Sequence, residues 1–215
     1  MTPSLTVTDL SKKYTDYYAL APISFILERS QITVLSGPNG SGKTTLLSCL
    51  TGLLKPSSGK INVEGFDLYE HEVEAKKRLA FVPDVPRFYT ELTAWEHLKF
   101  IAMANDCAAT FPAQGEDLLK NLGLWEARNL YPHNFSRGMR LKLGLALALI
   151  RPFEVLLLDE PTSALDKASV ELLINKLKAI RLQNKTILLS THDQNLINIL
   201  SDRRIHIEHG VLEAA

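Results

Sequence analysis

Two cysteines, Cys49 and Cys107, are all that the 215 residues contain, with no CxxC pair. They build neither a disulfide framework nor a zinc site, and both read as small buried apolar residues. Excess charge is missing as well. The 24 Lys and Arg balance 24 Asp and Glu, so the formal net charge is zero. General nucleic-acid binders carry a basic footprint, so no nucleic-acid partner is expected. Long apolar runs are also lacking: the longest, Leu143 to Ile150, is closed by Arg151, far short of the roughly 18 residues that cross a bilayer. Met1 to Leu10 shows no basic start followed by an apolar core, so no secretory signal is expected and the chain is expected in the cytosol. What remains is an ordinary globular composition, 46 % apolar and 22 % charged, long enough for one large domain or one domain with an inserted lobe.

Leu5 to Asp9, Ile23 to Leu27 and Lys60 to Gly65 alternate apolar and polar residues, the pattern of strands with one buried face. Lys12 to Ala21, with three tyrosines, reads as a loop. Ile32 to Leu35 is a β-branched run that leads through a Gly-rich turn into a helix over Thr44 to Leu54. Helical spacing dominates the middle third, at Thr93 to Ala104, Glu116 to Leu124 and Met139 to Ile150. Val155 to Leu158 and Thr186 to Leu189 are short unbroken apolar runs, as expected of parallel strands covered on both faces. Val170 to Leu182 supplies the helix between them, and Ile205 to Glu213 reads as a final hairpin.

Two motifs carry chemistry. Gly37-Pro38-Asn39-Gly40-Ser41-Gly42-Lys43-Thr44 fits G-x-x-x-x-G-K-[ST] between a strand and a helix. Glycines let the backbone N–H groups curl inward at phosphate oxygens, and the following helix adds its positive end. Lys43 reaches the β- and γ-phosphates, and the Thr44 hydroxyl suits Mg²⁺. A Gly-rich turn with a chance lysine is the bland alternative. Asp159 and Glu160 close the apolar strand Val155 to Leu158, at the strand end where open α/β sheets bind ligands. Asp159 suits the Mg²⁺ shell and Glu160 the attacking water, although such a pair also serves to cap a following helix.

With these motifs in order, the sequence resembles the ATP-binding cassette of ABC-type ATPases from Leu5 to Leu212. Phe135-Ser136-Arg137-Gly138-Met139 lies at the family's signature, Ser163-Ala-Leu-Asp166 at its D-loop, and His192, after Ser190-Thr191, at its switch histidine. The resemblance implies an α/β fold: a P-loop NTPase core of ABC type with an antiparallel β subdomain (residues 1–84 and 152–215) and an inserted helical signature subdomain (85–151), together one cassette. It assigns Thr45 to the nucleotide beside the phosphate loop, His192 to the γ-phosphate and attacking water with Glu160, and Tyr14 to adenine stacking, with Tyr17 and Tyr18 as close competitors. Ser136 is a good N-cap, so Ser136, Gly138 and the helix end form a second anion-binding surface. In the family that surface closes on the γ-phosphate held by a second copy or a homologous cassette.

Two motifs depart from the family pattern. Arg137 and Met139 replace Gly and Gln in the signature, and Asp84 stands in place of the Q-loop Gln. Asp84 is an ATP-site candidate, but its charge beside a polyanion weakens or water-bridges any metal contact, and a solvated loop acid is the alternative. Both features are similar to a subgroup of bacterial exporter-type cassettes. Trp95 reads as core, while Phe88 and Tyr89 lie where the family receives a helix of its membrane partner. The expectation is therefore an ATPase using ATP and Mg²⁺, bound to membrane-spanning permease subunits on separate chains at the cytoplasmic face. The alternative is a soluble ABC ATPase, such as a component of a cofactor-assembly scaffold. With the last hairpin closing at Leu212, no C-terminal regulatory domain is expected.

Overall fold

The computed structural model describes residues 2–213. Four strands, β1 (Leu5–Tyr14), β2 (Tyr17–Leu27), β4 (Ser58–Val63) and β5 (Phe66–Asp67), form an antiparallel sheet in the order β2-β1-β4-β5. Alternation in β1 buries Leu5 and Val7, and the buried series resumes at Leu10 after a register shift at which Asp9 takes φ +48°. Gly59 of β4 lies on that bulge. A side chain there would bring its Cβ within 2.4 Å of the Asp9 carbonyl oxygen, so the crossing requires glycine. The stretch Lys12 to Ala21 is not the predicted loop. β1 continues to Tyr14 and β2 starts at Tyr17, leaving a tight hairpin whose tip exposes Tyr14, Tyr17 and Tyr18. With both faces solvated, the tip has no one-sided alternation for a sequence reading to detect.

The second sheet has the order β10-β9-β3-β8-β7-β6, formed by β3 (Ile32–Ser36), β6 (Leu79–Val82), β7 (Val155–Asp159), β8 (Thr186–Ser190), β9 (Arg203–Glu208) and β10 (Val211–Glu213). β3 pairs in parallel with β8 and β9, and β7 with β8. Every residue of β7 and β8 is buried, as their unbroken apolar runs predict. α1 (Lys43–Leu50) ends four residues before the predicted Leu54, at a turn where Gly52 takes φ +71°. Its Leu46, Leu47, Cys49 and Leu50 are wholly buried in a cluster with Leu5, Leu10 and Leu27 of the first sheet and Leu35, Leu157 and Leu188 of the second. Two short helices, α2 (Glu72–Lys77) and α7 (Gln194–Leu200), have no counterpart in the sequence reading. These are too brief to show a period.

The chain forms two compact units. One holds the residues up to Phe81, Phe153–Glu160 and those from Ile174 on, and the other holds Val82–Pro152 and Pro161–Leu173. α6 (Lys167–Leu182) has residues in each. In the second unit α3 (Ala94–Ala104) opens with a full capping box, Thr93 and Glu96 each bonding the other's backbone. α4 (Phe111–Asn121) starts five residues before the predicted Glu116. Pro112 and Gly115 read as breakers, yet proline is tolerated in a first turn, and Gly115 lets the Trp95 and Phe111 rings approach. A Cβ there would lie 3.1 Å from Trp95 and 2.8 Å from Phe111. Trp95 also meets Trp125 edge-on at 5.7 Å, so it packs within this helical unit. α5 (Arg137–Leu149) completes the unit. No helix among the described residues is long and apolar enough to cross a membrane.

Candidate phosphate cradle and signature surface

The loop between β3 and α1 is shaped by close approaches that exclude side chains. A Cβ on Gly37 would lie 2.1 Å from the Ile207 carbonyl oxygen, and one on Gly42 2.8 Å from that of Ala19. Gly40 and Gly42 take left-handed φ of +77° and +110°. The final hairpin backs this loop, because the Gly210 N–H donates to the Ser41 carbonyl at 2.9 Å. Gly42 caps α1 with no side chain, so the first-turn N–H groups of that helix face the loop. The Lys43 ammonium lies across the loop, donating to the carbonyls of Gly37 at 2.8 Å and Pro38 at 2.9 Å. Ser41 has a buried hydroxyl with no hydrogen-bond partner. Pro38, Asn39 and Thr45 lie on the same loop and first turn, with Thr45 partly exposed.

Below the loop, a hydrogen-bonded chain joins α1, β7, β8 and the residues that follow the two strands. The Thr44 hydroxyl donates to Asp159 Oδ2 at 2.8 Å, and the buried Ser190 hydroxyl donates to Asp159 Oδ1 at 2.6 Å. The same Ser190 oxygen accepts the Glu160 N–H at 2.9 Å. Glu160 takes φ +45°, a left-handed conformation costly for a side-chain-bearing residue. Its side chain is 17 % exposed, with Oε1 3.1 Å from His192 Nδ1. A carboxylate only accepts, so Nδ1 carries the proton in this pair. Thr44, Asp159 and Ser190 offer oxygen alone, the donor set that Mg²⁺ prefers. Motif reading missed Ser190 as a working residue. The hint was a serine two residues before His192, at the end of a buried run.

Tyr14 sits at the exposed hairpin tip with the Lys12 ammonium 5.0 Å from its ring, while Lys13 lies over Tyr18 at 5.4 Å. Tyr14 and Tyr17 are paired across the turn. All three tyrosines therefore present accessible faces.

The helical unit holds the remaining candidates. Ser136 caps α5, its hydroxyl accepting the Met139 N–H at 3.2 Å. Gly138 lies against the loop carrying Ser163, where a Cβ would come within 2.6 Å of the Ala164 carbonyl oxygen. Asp166 accepts the Ser169 N–H at 2.8 Å, and the Ser169 hydroxyl and N–H hold its carboxyl below the ordinary carboxylate range. An open hollow of about 540 Å³ lies among Ser136, Gly138, Lys142, Leu165, Asp166 and Ser169. Arg137 meets Asp84, which no motif links to it, and both meet Ser163. Nearby, Tyr89 is exposed and Phe88 half-buried, both packed on buried His97. His97 takes the Tyr89 N–H on Nε2 and donates from Nδ1 to the Thr93 carbonyl. Cys49 is buried as expected, whereas Cys107 is only half-buried.

Comparison with known proteins places these features in context. The family model described as ABC transporter matches residues 20–163. The chain is 33 % identical over 212 residues to the ABC transporter ATP-binding protein NatA of Bacillus subtilis (strain 168), covering 96 % of this chain and 86 % of that protein. It is 36 % identical over 207 residues to the SkfA peptide export ATP-binding protein SkfE of the same organism, again covering 96 % and 86 %. A solved ATP-binding subunit of an ABC transporter superposes with a TM-score of 0.90 at 29 % identity, covering 99 % of this chain and 89 % of that one.

Proposed function

Because the chain belongs to the ABC transporter family, as an ATP-binding and ATP-hydrolysing subunit that powers transport through separate membrane subunits, we propose that the chain from Thr44 through Asp159 and Ser190 to Glu160 and His192 is its hydrolytic centre. The observation that carries the proposal is this connection, buried at its centre where Ser190 meets Asp159. It ties the phosphate loop, both acids and the histidine into one hydrogen-bonded unit.

The loop N–H groups and the N-terminus of α1 hold the phosphates of ATP. Lys43 exchanges its two carbonyl partners for β- and γ-phosphate oxygens, and the unpartnered Ser41 hydroxyl gains an acceptor. Thr44 and Asp159 would hold Mg²⁺, which offsets phosphate charge when bound. Glu160 takes a proton from the attacking water as its oxygen bonds the γ-phosphorus and the bond to the β–γ bridging oxygen breaks, releasing ADP. His192 orients Glu160 through Nδ1. The left-handed backbone at Glu160 keeps that carboxylate aimed before substrate arrives.

Ser136, Gly138 and the first turn of α5 face the γ-phosphate of a second cassette, so two ATP molecules hold the dimer and hydrolysis releases it. Tyr14 stacks on adenine. Phe88 and Tyr89 seat a cytoplasmic helix of the permease, holding this subunit on the cytoplasmic face of the membrane. Replacing both with alanine should abolish association with the permease. Export is the direction the SkfE likeness favours. The decisive test is Glu160→Gln. ATP binding should persist, turnover should fall about 10²–10⁴-fold, and the ATP-bound dimer should live longer. Near wild-type turnover would refute the role given to Glu160.

A further inference from the structure

Asp84 and Arg137 are separate departures in the sequence, 53 positions apart, and the structure brings them together. Arg137 Nη2 donates to Asp84 Oδ1 at 3.0 Å and Oδ2 at 3.2 Å, and to the Ser163 hydroxyl oxygen at 3.2 Å. Ser163 in turn donates to Asp84 Oδ1 at 2.6 Å. A lone pair with side chains 60 % and 36 % exposed would count for little. Three features set this one apart. It is a closed three-member network with charge-assisted bonds. Arg137 is the first residue of α5, where a cation opposes the helix dipole and the first turn holds no acid of its own, so Asp84 supplies the missing negative charge. The Ser163 loop also lies directly on α5, leaving no room for a side chain at Gly138.

From this geometry we infer that Asp84 and Arg137 are a matched pair of positioning residues for hydrolysis, fixing the Ser163 hydroxyl and its loop on the signature end of α5. Arg137 is disfavoured at a helix start without Asp84, and Asp84 has both oxygens committed to Arg137 and Ser163. Asp84 thus acts through the signature and D-loop residues it bonds. The inference rests on the reading of the chain as an ATPase.

The test is a double-mutant cycle on the full chain with Asp84→Asn, Arg137→Gln and the double variant, read as ATP turnover at saturation and as equilibrium ATP binding. Each single change should lower turnover about fivefold, the scale of an exposed but charge-assisted network, and leave ATP affinity within about twofold. The double should be no slower than the slower single. Ser163→Ala should slow the wild type by a similar factor and the double hardly at all. Losses that multiply in the double overturn the pairing. So does an Asp84→Asn loss that appears as weakened ATP binding, since that places Asp84 on the nucleotide. If the wild type turns over no ATP, the functional reading fails instead, and the same cycle read on urea midpoints still decides the pairing: additive midpoint shifts overturn it.

Discussion

Ser190→Ala removes one buried oxygen that serves two carboxylate-bearing residues at once. In the wild type that oxygen donates to Asp159 at 2.6 Å and accepts from the Glu160 N–H at 2.9 Å. Alanine deletes a charge-assisted bond, worth about 1.5–3 kcal/mol net, and leaves a buried N–H short of its partner at a further 1–3 kcal/mol or so. Thr44 still bonds the other Asp159 oxygen, which softens the loss, so about 3 kcal/mol is expected. For a chain of this length that corresponds to a melting midpoint lowered by about 6–12 °C. Differential scanning calorimetry reads the stability term, and steady-state ATPase assays read the function. Turnover should fall at least about tenfold, with a smaller change in KM, because Asp159 and Glu160 lose their common anchor while the phosphate loop is untouched. A loss under about 0.5 kcal/mol with unchanged turnover would refute the idea that this hydroxyl holds the two acids.

Three further predictions follow from local geometry. Gly37→Ala should abolish binding of a fluorescent ATP analogue and lower thermal stability, because its Cβ meets backbone 2.1 Å away; Gly40→Ala, with nothing within 4 Å, should cost only the left-handed backbone penalty of about 1–2 kcal/mol. The Thr93 N–H and hydroxyl hold the Glu96 carboxyl below its ordinary range, so its contribution is complete above the unfolded carboxylate value and lost as pH falls through the depressed one. Urea titrations across acid pH should show that dependence weakened in Glu96→Gln. Burial pushes the Cys49 thiol up to about 11, and Cys107 is half-buried. A thiol reagent at pH 8 should therefore label one cysteine of the native chain quickly and the second only on unfolding.

The phosphate loop and the acid pair were legible because their chemistry demands fixed residue types at fixed spacing, and the parallel strands because double burial leaves an unbroken apolar run. The helices of the middle third were legible in kind, but not at the start of α4. There Pro112 and Gly115 signal a break locally, while the packed rings of Trp95 and Phe111 decide the outcome. The tyrosine hairpin was misread because strand pairing at its tip leaves no dry face. Ser190 and the Asp84–Arg137–Ser163 network belong to a different category. Each depends on groups tens of positions apart, 31 for Ser190 with Asp159 and 53 for Arg137 with Asp84, and no spacing rule along one chain encodes such meetings.

The hairpin that backs the phosphate loop also bears on how the protein comes into being at the ribosome. Ser36, at the loop's entrance, bonds His206 from 170 positions away, and Ile207 and Gly210 press on Gly37 and Ser41. At about 5–20 residues per second, synthesis leaves the loop without that support for on the order of ten to thirty seconds. Throughout that interval the nascent chain holds the whole nucleotide-binding motif but not the wall that shapes it. The support that holds the loop in shape therefore arrives only once synthesis has passed Gly210.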